Sequence, residues 1–199
     1  VYFFDSHVLT KTPYCCIELE YIYRQDDSRF IDILNKVRNN RLDAESLAIL
    51  NSHCHPDFVP DDDAGFITLM THNRQVDEIN ENKLNALKTR LLKFEAKIFG
   101  NFPEISYPTK AELELKIGAQ VMFVKNDPSP EKNYYNGKIG RIVGYDEKDG
   151  LQVRCGDEVI DVSPVTWQNF EYNINSETKE IEEKEIGSFT QMPLKLAWA

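Results

Sequence analysis

The stretch LELKIGAQVMFVKND, residues 113–127, and the stretch NGKIGRIVGYD, residues 136–146, decide the fold class. The first reads as a strand, a turn at Gly118 and a second strand. The second opens on Asn136-Gly137, a strong hairpin signal because both residues tolerate the positive backbone angles of a tight turn, and continues as a strand over 138–145. Downstream, GLQVRCG and EVIDVSPVTW read as two more strands separated by Gly156-Asp157. FEYNINSETKEIEEKEIGSFTQMPL reads as a further hairpin turning near Asn175-Ser176. Short strands with close turns predict a small β-barrel or curled sheet. KEIEEKE within the last hairpin is a charge run whose alternation fits a solvated strand.

Upstream the pattern changes. Leu19, Tyr21 and Tyr23 alternate with Glu20, Ile22 and Arg24, which predicts a strand over 16–23. From Phe30 the apolar residues recur as Phe30, Ile31, Leu34 and Val37, which is helical spacing, with Ser28 as the expected N-cap. A shorter helix, DAESLAILN, is capped by Asp43. FITLMT, residues 66–71, is a compact candidate for a buried strand. The next segment begins with Asn73 as the expected N-cap and lines Val76, Ile79, Leu84 and Leu87 along one helical face. The economical picture is an α/β domain interrupted by a β module, with the last residues, from about Phe189, returning to the apolar character of the first part.

Composition sets limits. With 41% apolar residues the chain has material for a core, and no apolar run approaches the roughly 20 residues of a membrane span. The start carries no basic region of a signal peptide. Cys15, Cys16, Cys54 and Cys155 show no paired spacing, and neighbours on a strand point to opposite faces, so a reduced, cytoplasmic protein is expected. The net charge of -10 argues against nonspecific coating of nucleic acid. The charge is uneven, however: residues 116–154 hold seven Lys/Arg and five Asp/Glu, while residues 157–185 hold nine acids and two lysines. The chain opens directly on VYFF and ends inside PLKLAWA, as expected of an excised piece of a longer protein.

Few residues suggest chemistry on their own. His53, Cys54 and His55 are the only concentrated metal-ligand types, and they lack the paired spacing of a structural site. No nucleophile signature occurs. GKIGRIVG has neither the order nor the following helix of a phosphate loop. Nucleic-acid contacts remain. Thr71, His72 and Asn73 could offer a hydroxyl, an imidazole and helix-start N–H groups to a phosphate. Asn126 and the Asn136-Gly137 turn beside Lys138 and Arg141 are similar candidates. Tyr134, Tyr135 and Trp167 could stack on bases, or could be loop and core residues. Arg24 and Gln25 fall between an expected strand tip and an expected helix, where α/β proteins meet ligands. The plainer reading pairs Arg24 with Asp26 or Asp27 at the surface.

Taken in order, YIYRQDDSRFIDILNKVR, ITLMTHNRQVDEIN, LKIGAQVMFVKND, NGKIGRIVGY and GSFTQMPLKLAWA resemble the C-terminal half of Pif-type DNA helicases, in the Pif/RecD branch of superfamily one. The resemblance spans nearly the whole chain. It implies a partial RecA-like motor domain (2A) interrupted by a β-barrel of the Src-homology-three type (2B): residues 1–107 the first part of 2A, 108–188 the barrel, 189–199 the return. Arg24 then matches an arginine set against the γ-phosphate of ATP, and Gln25 the glutamine beside it. Thr71, Asn73, Val76, Asp77 and Asn80 match a segment that approaches single-stranded DNA. Gly118, Asn126, Asn136, Gly137 and Gly140 match the barrel over the DNA path.

The implied cofactors are ATP and Mg²⁺, held mainly by an N-terminal motor domain. The implied partners are single-stranded and fork DNA, with translocation from five-prime to three-prime and a place in DNA repair and recombination. The P-loop lysine and the Mg²⁺-binding acid pair do not occur here, so the chain alone is not expected to hydrolyse ATP. The competing expectation is an interaction module without motor activity, its acidic edge meeting a basic partner.

Overall fold

The computed structural model describes residues 2–19, 21–22, 26–61, 65–146 and 150–199. Arg24 and Gln25 lie outside the described residues. The chain divides into two compact units, Val1–Val59 and Pro60–Ala199.

The first unit is helical: α1 (His7–Lys11), α2 (Ser28–Arg38) and α3 (Ala44–Ser52). The N-cap of α2 is Asp27, not Ser28, because the Asp27 carboxylate accepts from the N–H groups of both Arg29 and Phe30. Asp43 caps α3 as expected, accepting from Ser46 N–H at 2.7 Å. Lys36 joins the two helices, with its ammonium 2.9 Å from both Asp32 and Asp43 and donating to Ser46 Oγ. The strand expected over 16–23 is not present in the described residues of that stretch. Ile17 and Leu19 are 79% and 90% exposed, so alternation is there without a neighbouring strand to pair with.

The second unit starts with α4 (Asn73–Ala86) and continues into ten strands: β1 (Leu91–Glu95), β2 (Lys97–Gly100), β3 (Glu112–Lys116), β4 (Gln120–Phe123), β5 (Ile139–Asp146), β6 (Gly150–Cys155), β7 (Glu158–Val162), β8 (Val165–Ile174), β9 (Ile181–Gln191) and β10 (Leu194–Leu196). They form three sheets, in the orders β1-β3, β10-β4-β5-β6-β7 and β2-β9-β8. Every pairing among the described residues is antiparallel. The core is the inner face of the five-stranded sheet, where Val121, Phe123, Ile142, Leu151, Val153 and Val162 alternate with outward residues and pack with Leu113, Leu115, Leu84 and Trp198.

Turn chemistry places the hairpins. Gly118 (φ +95) reverses the chain between β3 and β4, Gly137 (φ +96) follows Asn136 before β5, and Gly156 (φ +62) separates β6 from β7. EVIDVSPVTW, expected as one strand, is broken at Ser163-Pro164 into β7 and β8, which belong to different sheets. Proline has no N–H to continue a ladder. FITLMT is not a strand: Leu69 is 91% exposed, and the stretch is anchored by Thr68 N–H donating to Trp198 O and Phe66 O accepting from Gln120. β1 and β2 carry pairing that the sequence reading did not anticipate, β1 with β3 and β2 with β9.

Candidate nucleic-acid interface

In the first unit, a cleft of about 550 Å³ lies between the start of α2 and the end of α3, lined by Asp27, Arg29, Phe30, Ile33, Ile49, Leu50 and His53. His53 is the C-cap of α3. No group of three metal-ligating side chains occurs among the described residues.

In the second unit, the start of α4 has the features a phosphate seeks. Its N-cap is His72, not Asn73, and no side chain caps the helix. The backbone explains the shift: His72 is extended (φ -132, ψ 128) and its carbonyl already accepts from Gln75 N–H and Val76 N–H, which leaves Asn73 as the first helical residue. No side-chain acceptor reaches the first-turn N–H groups, which carry the positive end of the helix dipole. Thr71 Oγ1 sits 2.8 Å from His72 Nδ1, and both residues are exposed with Asn73. A hydroxyl, an imidazole and the start of a helix that no side chain caps are thus brought together.

Two other expected contacts are occupied in the fold. Asn126 Oδ1 accepts from Asn136 N–H at 2.8 Å, closing the 126–136 loop. Lys138 donates to Asn133 O and faces Glu158 at 3.5 Å, with only 18% of its side chain exposed. Inside the loop, burial alone would raise the carboxyl of Asp127, but the N–H groups of Ser129 and Asn133 and nearby Lys132 hold it below the usual range.

The aromatic candidates divide. Tyr134 is stacked on Phe123 at 4.2 Å and buried, so it belongs to the core and offers no face to a base. Tyr135 is exposed. Trp167 is half-buried against Phe189, with the Lys125 ammonium 4.9 Å above its ring. Burial also lowers the pKa of Lys125.

Sequence reading did not foresee the buried amides that position this surface. Asn80 Oδ1 accepts from Trp198 N–H and Ala199 N–H while its Nδ2 donates to Ala199 O. Gln120 Nε2 donates to Phe66 O and Ala197 O. Gln191 Nε2 donates to Phe94 O and Ala111 O, and Thr109 Oγ1 to Leu194 O. Asn80, Gln120 and Thr109 tie residues 194–199 to α4 and to the sheets, and Gln191 ties the end of β9 to β1 and to the chain before β3. Asn80, aligned by resemblance with a DNA-approaching segment, is a structural clamp here, and Asp77 faces Lys110 at 3.7 Å. The only sequence signal for the clamps was a polar residue at a core-facing position, which is weak for a single residue.

No protein-family model matches the chain. Among curated proteins it is 34% identical to the human ATP-dependent DNA helicase PIF1 over 194 residues, covering 92% of this chain and 28% of that protein. It is 28% identical to the Campylobacter jejuni ATP-dependent DNA helicase Pif1 over 217 residues, covering all of this chain and 47% of that protein. The chain thus spans between about a quarter and a half of the length of these two relatives. Among solved structures, Bacteroides sp. Pif1 in complex with ADP-AlF4 matches with a TM-score of 0.85 at 34% identity, covering 100% of this chain and 45% of that one. Bacteroides Pif1 bound to ssDNA matches with a TM-score of 0.60 at 33% identity, again over 100% and 45%.

Proposed function

We propose, from the premise that this chain belongs to the Pif1 DNA helicase family, whose members match it at 28–34% identity over most of its length, that it forms the second motor half of an ATP-dependent DNA helicase. The observation that carries the reading is the length of the likeness: it runs through the helical unit, α4 and all three sheets rather than through one motif.

On this reading residues 1–107 and 189–199 are parts of a RecA-like domain, and 108–188 are a Src-homology-three-type insertion. The junctions are then changes of role in the sequence, not breaks in hydrogen bonding, since the β1–β3 and β2–β9 pairs cross them. An N-terminal motor domain of the same protein holds most of ATP and its Mg²⁺. Arg24 reaches the γ-phosphate across the cleft between the motors, with Gln25 beside it. A planar guanidinium there stabilises charge that builds on the phosphoryl oxygens in the transition state.

The uncapped start of α4, with Thr71, His72 and Asn73, holds a phosphate of single-stranded DNA, and Asn126 and Lys138 shape the loop that lies over the strand. Closure on ATP and release after hydrolysis move the two motors along the strand, five-prime to three-prime, opening duplex at a fork. Repair and recombination of DNA in the cytoplasm of a bacterial-type cell is the setting this reading suggests.

The net charge of -10 favours a second reading, an interaction module whose acidic 157–185 region meets a basic partner. The test is ATP hydrolysis and forked-duplex unwinding by a longer protein carrying this segment, with and without single-stranded DNA. The motor reading expects hydrolysis that rises on adding DNA, together with strand separation. Absence of DNA-stimulated hydrolysis leaves the interaction module.

A further inference from the structure

We propose that the outer half of the β8–β9 hairpin is a docking ribbon for a basic, extended segment of another protein, which adds as a strand along the free edge of β8. The inference takes from the second reading above only the sign of the charge, and it holds alongside the motor reading.

The hairpin outruns the sheet that supports it. Pairing continues from Val165 opposite Gln191 to Ile174 opposite Ile181. β2 backs β9 only over residues 187–190, and near that end Trp167 packs on the buried Phe189. The register slips between Asn169 and Phe170, where Ile186 is the extra residue of a bulge. Outward of the bulge the two strands have no third strand among the described residues, and β8 has none on its other edge along its whole length. A two-stranded ribbon is marginal by itself in water, and a bare edge offers its N–H and C=O groups to a further strand.

Register also sorts the side chains into two faces, because directly paired residues share a face and neighbours alternate. Phe170, Tyr172 and Ile174 line one face, opposite Glu185, Glu183 and Ile181. Tyr172, Ile174 and Ile181 are 61%, 72% and 70% exposed, which makes a contiguous apolar stripe rather than one stray residue. Glu171 lies on the other face, opposite Lys184. Over residues 171–185 six glutamates stand against two lysines, and all eight are exposed.

These features select the occupant. A second copy of the chain brings another acidic ribbon, and like charges side by side repel. A polyanion meets the same opposing field. A strand whose apolar residues alternate with lysine or arginine fits both faces. Its apolar side chains extend the stripe of Phe170, Tyr172 and Ile174, and its cations stand beside Glu171 in the field of the other glutamates. Backbone bonds to β8 supply affinity, and the alternation supplies specificity.

The test is fluorescence anisotropy of a labelled peptide alternating valine and lysine, as long as β8, with this chain and with a longer protein that carries it. Comparison peptides replace lysine by glutamate, gather the valines and lysines into separate blocks, or place proline at every second position. The chain variants are Glu171→Lys, Tyr172→Thr and Ile174→Thr, and thermal unfolding of each checks the fold. The ribbon predicts saturable binding of the alternating peptide that weakens with salt, falls about tenfold in Glu171→Lys and falls less in the two threonine variants. It predicts loss of binding for the glutamate peptide, and for the proline peptide, which lacks the N–H groups of a ladder. Equal binding of the block peptide leaves charge attraction alone and overturns strand addition. Unchanged affinity in all three variants, or no saturable binding at low salt, overturns the ribbon. Binding by this chain that is absent in the longer protein assigns the edge to that protein's own chain and overturns an outside partner. Self-association that the peptide reverses makes a second copy the occupant instead. DNA-stimulated ATP hydrolysis is a separate measurement, so the helicase reading stands or falls apart from all of these outcomes.

Discussion

Asn80 shows how much one residue holds here. Its side chain is 5% exposed and makes three hydrogen bonds to the backbone of Trp198 and Ala199. Asn80→Ala leaves those backbone groups without their partner, and each buried group so orphaned costs about 1–3 kcal/mol. We expect a lower urea midpoint with an unchanged dependence on urea. Asn80→Asp, which sets a buried carboxylate oxygen against the Ala199 carbonyl where the amide now donates, should lower the midpoint as well. The residue scale is also where the sequence was read least evenly. The start of α4 was legible to within one residue, the N-cap being His72 where Asn73 was expected, because helical spacing is a local pattern. Tyr134 was ambiguous, since an aromatic in a loop looks the same whether it faces solvent or stacks on a core Phe123 that is distant in sequence. Asn80, Gln120 and Gln191 take their partners from segments between 54 and 119 residues away, a relation that no local pattern encodes.

Elements defined by their own residues were legible, and those defined by a partner were not. The turns at Gly118, Asn136-Gly137, Gly156 and Asn175-Ser176 follow from local chemistry, as do α2, α3 and α4. Residues 16–22 and 66–71 have strand composition, but a strand needs a continuous ladder with a neighbour, and among the described residues neither stretch forms one; 66–71 keeps a backbone bond from Thr68 N–H to Trp198 O. β1 and β2 were missed for the opposite reason, since β2 pairs with a strand about 90 residues downstream. The α2–α3 pair yields a prediction at this scale. The N–H of Ser46 first, and then the Lys36 ammonium, hold the Asp43 carboxyl down at about 2, and Asp43 and then Asp32 push Lys36 up to about 12. A folded-state pKa below the unfolded value of about 4 means that Asp43 stabilises the helices above that pH. The contribution is lost as pH falls through about 2. Helical circular dichroism on acid titration should therefore decline between about pH 4 and pH 2. In Asp43→Asn, which keeps a capping oxygen and does not titrate, that part of the decline should be absent.

Across the whole molecule, a mixture of helices and strands was readable because the hydrophobic period changes from helical to alternating along the chain. The α/β first part that was expected differs from the structure, where the described residues ahead of β1 hold helices and no strand. The strands begin at Leu91, ahead of residue 107, and the boundary between compact units falls at residues 59 and 60, ahead of α4, because the helix packs Leu84 into the sheet core. Charge also belongs to this scale. The acidic excess over residues 157–185 gives the β8–β9 hairpin a negative field that opposes a polyanion. On the proposed function, this segment completes an ATP site made across two motor domains. The most direct test is single-stranded-DNA-stimulated ATP hydrolysis by a longer protein carrying the segment, wild type against Arg24→Ala, with nucleotide affinity measured separately. The account predicts a loss of turnover on the order of 10³-fold or more with nucleotide binding largely kept. Undiminished DNA-stimulated turnover in Arg24→Ala would contradict it and return Arg24 to an ordinary surface position.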